Sequence, residues 1–159
     1  MAPQRRNATG TVLRTSRVLF NRRPTGDELK QWEARYKAGD RTEAIAEGLL
    51  GSADWKAKGS LDDGQFVDLI YRNARGKAPS ASVRQYWLDQ MAGGRSRASV
   101  VANFADSFGV KDATWHALQV MLGYCAALDR WPFEAEVAKW RKYLDDGGLL
   151  PGMVAVIRA

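Results

Sequence analysis

The sequence predicts an all-α fold: about three related three-helix units, with a period of about 53–55 residues, packed into one compact helical domain. Three observations carry this. A basic residue, one spacer, a proline and a tryptophan eight residues after the proline recur three times: Arg22, Pro24, Trp32; Lys77, Pro79, Trp87; Arg130, Pro132, Trp140. A glycine follows seven residues after each tryptophan, at Gly39, Gly94 and Gly147. No stretch has the two-residue alternation and hairpin turns of strands.

The first helix of each unit is expected over about 11–20, 65–74 and 113–128, where Phe66, Leu69, Ile70 and Ala74 set the helical spacing of the second unit. Each ends before the basic-x-Pro, because proline disfavours a helical residue ahead of it. Proline is well tolerated at a helix start, so the second helices should begin near Thr25, Ser80 and Phe133. Leu29, Trp32 and Tyr36 fall on one face of the first of these, and Val83, Trp87 and Met91 on one face of the next. That placement makes the three tryptophans core residues rather than sugar-stacking platforms. Gly39, Gly94 and Gly147 suit the left-handed residue that closes a helix. Third helices should follow, with Asp40, Ser96 and Gly148 as N-cap candidates. The aligned apolar triplets there are Ile45, Val100 and Met153; Ala46, Val101 and Val154; and Leu49, Phe104 and Ile157. Trp55, Trp115 and Trp131 lie outside the repeated position, and Trp131, beside Pro132, is expected to be exposed.

The domain boundaries expected are a basic N-terminal arm over 1–10 and one helical domain over 11–159, made of units 11–55, 65–110 and 113–159. The last unit stops inside its third helix, so a longer parent protein is one reading. Residues 1–23 hold Arg5, Arg6, Arg14, Arg17, Arg22 and Arg23 and no acid, whereas the remainder balances 18 basic against 18 acidic residues. The whole excess of charge thus sits at one end. These six arginines are the candidate contacts for an anionic partner, because a planar guanidinium matches carboxylate and phosphate. A solvated tail is the competing reading. No apolar run is long enough to cross a membrane, and no classical signal peptide is present.

Catalytic chemistry has little to draw on. His116 is the only histidine and Cys125 the only cysteine. Neither lies in a motif that pairs a nucleophile with a base, and nine positions on one helix set them on opposite sides. Asp62–Asp63 and Asp145–Asp146 lack the alternating oxygens of a calcium loop. No phosphate loop is present. The expectation is therefore no catalytic residue, no metal and no cofactor.

The second unit, with Tyr71, Arg72, Gly76, Lys77, Pro79, Tyr86, Trp87, Gly94, Ser96, Arg97, Phe104 and Ser107, resembles the bacterial family called domain of unknown function 4214. The phycobilisome linker domain has a similar look. The resemblance implies a helical module of surface-layer and exported proteins, and hence a cell-surface or extracellular setting. It supplies no catalytic residue to carry over. The function expected is a noncatalytic binding or assembly module. Its partners would be other protein subunits of a larger assembly or an anionic polysaccharide. A nucleic-acid-binding protein using the arginine-rich end is the alternative, and an accessory domain of a glycan-active enzyme the second.

Overall fold

The structure, a computed structural model, describes the backbone of residues 3–159 and the side chains of residues 7–159. Its helices are α1 (Pro3–Phe20), α2 (Gly26–Lys37), α3 (Thr42–Leu50), the short α4 (Ala53–Lys56), α5 (Asp63–Arg75), α6 (Ala81–Ala92), α7 (Arg97–Ala105), α8 (Phe108–Leu128), α9 (Glu134–Asp145) and α10 (Leu150–Arg158). The described residues form no strand.

Helix α1 lies at the centre and packs against α2, α3, α5, α7 and α8. Its environment is apolar on nearly every side: Ala8, Thr9, Gly10, Thr11, Val12, Leu13, Thr15, Ser16, Val18 and Leu19 are all buried. Residues 8–10 therefore belong to the helical core and not to the basic arm expected over residues 1–10. Small and hydroxyl residues, not a stripe of large apolar ones, let the neighbouring helices approach. The Thr15 hydroxyl donates to the Thr11 carbonyl at 2.8 Å, so it enters the core with its hydrogen bond made. Thr9 donates to the Glu33 carboxylate, which is itself buried on α2. The side chains of Arg5 and Arg6 lie outside the described residues.

The helices after the three prolines start and stop by the same local devices. Thr25, Ser80 and Phe133 are the N-cap residues, with extended backbones. The Thr25 and Ser80 hydroxyls accept from the backbone N–H three residues on. Phe133 has no such acceptor, and the Glu136 carboxylate instead accepts from its N–H. At the other end Gly39, Gly94 and Gly147 have φ of +117°, +101° and +92°. Each is followed by an N–H that reaches back five residues, from Asp40 to Arg35, Arg95 to Gln90 and Gly148 to Tyr143. This left-handed closure satisfies the terminal carbonyls and needs glycine. The third helices begin one residue later than Asp40 and Gly148 suggested: their N-caps are Arg41, Ser96 and Leu149. Asp40 instead accepts from Arg35 at 2.6 Å.

Trp32, Trp87 and Trp140 are 5%, 7% and 7% exposed, which places all three in the core. Burying such a ring removes roughly 150–250 Å² from water, so truncating one costs about 3–5 kcal/mol. Trp87 stacks at a tilt on Phe104, 5.0 Å between centroids. Trp140 donates its indole N–H to the Tyr124 hydroxyl at 2.9 Å. Trp131 is part-buried against the core, and Trp115 is the more exposed ring, at 37%. Trp131, beside Pro132, lies close to Gly26 and Leu29 of α2, across the narrow cleft where α9 begins.

Candidate functional site

Two concave regions flank α1, and they divide the arginines that the sequence groups together. Asn7, Thr11 and Arg14 lie at i, i+4 and i+7 and form one stripe of α1. Lys111, Thr114, Trp115 and Leu118 form a facing stripe of α8. With Tyr36, Arg41, Thr42 and Asp106 they enclose a groove of about 750 Å³. Leu13 and Arg17, again four apart, form the next stripe of α1, and Asn21 follows just beyond its end. They face Thr114 and Ala117 of α8, and Val137, Ala138 and Arg141 of α9, across a cleft of about 220 Å³. Thr114 lines both spaces and walls them apart. Arg14 and Arg17 thus serve different sites, although one helical turn separates them.

In the larger groove Arg14 is fixed. Its Nε donates to the Ala105 carbonyl at 2.9 Å, and Nη2 stands 3.3 Å from the Asp106 carboxylate. Arg41 lies over the Tyr36 ring, 4.8 Å from its centroid, and among the described residues donates only to the backbone carbonyls of Tyr36 and Asp40. No carboxylate among the described residues neutralises it or Lys111. The lining residues therefore carry three cations against the single carboxylate of Asp106. Two aromatic rings, Tyr36 and Trp115, complete the walls.

Arg22 is a structural clamp rather than a free contact. Its guanidinium takes both oxygens of Glu28, at 2.8 and 2.9 Å, then donates to the Arg23 carbonyl at 3.0 Å and to Asp54 at 2.7 Å. These hydrogen bonds raise its pKa and hold the Glu28 carboxyl below its usual range. Arg130 repeats the arrangement on Glu136, at 2.8 and 2.6 Å, and on the Trp131 carbonyl at 3.0 Å. The recurring basic residue before proline thus tethers the loop to the next helix in two of its three occurrences. In the second, Lys77 is exposed and Val83 replaces the glutamate. Arg23 pairs with Glu134 at the mouth of the smaller cleft.

The side chains that chemistry would first draw on are engaged elsewhere. His116 Nδ1 lies 2.5 Å from Asp145 Oδ1, joining α8 to α9, and the contact holds the Asp145 carboxyl below its usual range. Cys125 is buried. No group of three or more metal-ligating side chains gathers among the described residues. No described helix is long and apolar enough to cross a membrane.

Sequence reasoning missed Tyr36, Arg41, Lys111 and Trp115. They come from the end of α2, the start of α3 and the first half of α8, and meet only in the fold. The signal available was the shared face of Lys111, Trp115 and Leu118 on α8. No curated protein and no solved structure matches the chain. The stretch over 46–113, which holds Tyr71, Trp87 and the Gly94 closure, matches the family model described as Domain of unknown function (DUF4214).

Proposed function

We propose that the chain is a noncatalytic binding module that holds an anionic glycan in the groove between α1 and α8. The observation that carries this is the lining itself: Arg41 and Lys111, uncommitted to any described carboxylate, beside the rings of Tyr36 and Trp115. A sugar ring presents an apolar face that an aromatic side chain covers, and its uronate or sulfate groups take guanidinium and ammonium donors. About 750 Å³ suits one or two sugar residues of a longer polymer, and the groove is open enough for the polymer to continue past it. The groove is also built on helices rather than on mobile loops, so little order need be gained on binding. Attachment to a cell-surface polymer agrees with the setting that the family resemblance implies.

The test is titration of the full chain with a polyuronate oligosaccharide, a neutral oligosaccharide and duplex DNA at two salt concentrations. The uronate should bind, more weakly at high salt, and the neutral sugar should not. Lys111→Glu combined with Arg41→Glu should weaken uronate binding at least ~10-fold, the loss of about 1.4 kcal/mol or more. Trp115→Ala should weaken it at both salt concentrations alike. Equal binding by the charge-reversed variant would overturn the proposal, and preference for DNA would transfer the role to nucleic acid.

A further inference from the structure

We propose that the smaller cleft, between α1 and α9, is a separate binding site for a tetrahedral oxyanion of the phosphate or sulfate class, with Arg17 and Arg141 as its principal donors. The proposal goes beyond glycan binding in the larger groove and stands independently of it.

Arg17 is the anomaly that points there. Its guanidinium is half-buried, and its Nε is fully shielded from solvent without a hydrogen-bond acceptor among the described residues. Every other arginine near it has a carboxylate: Arg22 has Glu28 and Asp54, Arg23 has Glu134, and Arg141 has Asp145 at 3.5 Å. Arg17 has none. Burial, together with repulsion from the Arg141 cation, lowers its pKa. Burial also lowers the pKa of Arg23. A folded chain rarely holds a shielded donor unpaired beside a like charge unless something else meets it.

The geometry fits a small anion. Arg17 comes from α1, Asn21 from just beyond its end, Arg23 from the loop and Arg141 from α9. Donors approaching from several directions suit acceptors arranged tetrahedrally. A lone carboxylate offers its oxygens in one plane, which a single guanidinium already matches. The cleft measures about 220 Å³. A water claims roughly 30 Å³, so the space takes an oxyanion and a few waters but not a run of polymer. Glu134, the one acid in the lining, is tied to Arg23 and is largely exposed, so it does not neutralise Arg17.

The experiment is thermal unfolding of the full chain with inorganic phosphate, inorganic sulfate or a sugar monophosphate added, chloride holding ionic strength constant. At about ten times the Kd, Tm should rise by about 3–6 °C over the chloride control. Arg17→Met keeps an unbranched, flexible stem and removes the charged guanidinium. It should leave Tm in chloride unchanged or higher, because an unpaired, repelled guanidinium is gone, and it should abolish the anion-dependent rise. Arg141→Gln is the second variant, and should reduce the rise at least several-fold. A larger rise with the sugar monophosphate than with phosphate would mark the anion as the end group of a larger ligand. A rise that survives in both variants, or no rise beyond chloride in the parent, would overturn the site. Neither result touches uronate binding, which reads on Arg41, Lys111 and Trp115.

Discussion

Helices α3 and α7 occupy matching places after their glycine closures, and they pack against each other. Helix α10 has the same apolar triplets but packs chiefly on α8. The consequence appears residue by residue. Ile45, Val100 and Met153 are each fully buried. At the next position Ala46 and Val101 are fully buried, whereas Val154 is half-covered. At the third, Leu49 and Phe104 are buried and Ile157 is half-covered. Val156 stands 59% exposed. One pattern therefore selects one face of the helix. Whether that face is sealed on one side or two depends on what the rest of the chain lays against it. Gly123 shows how α10 compensates: a Cβ there would lie 2.6 Å from the Met153 methyl, so the two helices close on a large residue seated over a missing side chain.

The largest effect should come from testing that contrast directly. Leu49→Ala empties space in the doubly covered seam and should cost about 2–5 kcal/mol. Ile157→Ala, at the matching place on α10, should cost about 1 kcal/mol, since only the covered part of the side chain is lost. Urea denaturation of the two variants measures both, and equal costs would show α10 to be as tightly enclosed as α3. The second test moves to the centre. Thr9→Val keeps the shape of the residue but takes the donor from the buried Glu33 carboxylate, and should destabilise by about 1–3 kcal/mol. No change would return the segment before residue 10 to the solvated arm that its composition suggests.

The smallest effect concerns the twin clamps. Glu136 has its carboxyl pKa lowered to about 2, chiefly by the hydrogen bonds from Arg130, with the Phe133 N–H assisting. Its usual value is 4.5. A carboxylate whose folded pKa is depressed favours folding above its unfolded pKa, and loses that contribution as pH falls through the folded value. The stability of the parent should therefore decline between about pH 4.5 and pH 2, and Glu136→Gln should flatten that part of the curve. The effect is small because both partners are well solvated. Glu28 is shifted the same way, with Asp54 as a second acid on its arginine, so Glu28→Gln should leave Arg22 still paired.

What the sequence made legible has local causes. Proline position, glycine φ and cap hydroxyls act within a few residues, so the starts and ends of α2, α6 and α9 could be read directly. The tryptophan faces follow from helical spacing alone. The burial of α1 could not be read, because Thr9, Gly10, Thr15 and Ser16 are neutral as sequence and become core only when five helices surround them. The groove was illegible for a related reason. Tyr36, Arg41, Lys111 and Trp115 acquire a common purpose only through tertiary contact. Arg22, conversely, reads as a candidate contact in the sequence and is a tether in the fold, because its acceptor Glu28 is brought to it only by the turn between α1 and α2.

The central place of α1 has a consequence for how the chain is made. Its Arg14 is anchored on the Ala105 carbonyl, 91 positions along the sequence. A ribosome delivers the N-terminus first, at about 5–20 residues per second, so the helix on which the domain is built emerges several seconds before its last walls exist. Loops of that length close slowly compared with local helix formation. Nascent α1 must therefore wait with its small-residue faces uncovered, and commitment to the native state comes late, when α7 and α8 arrive.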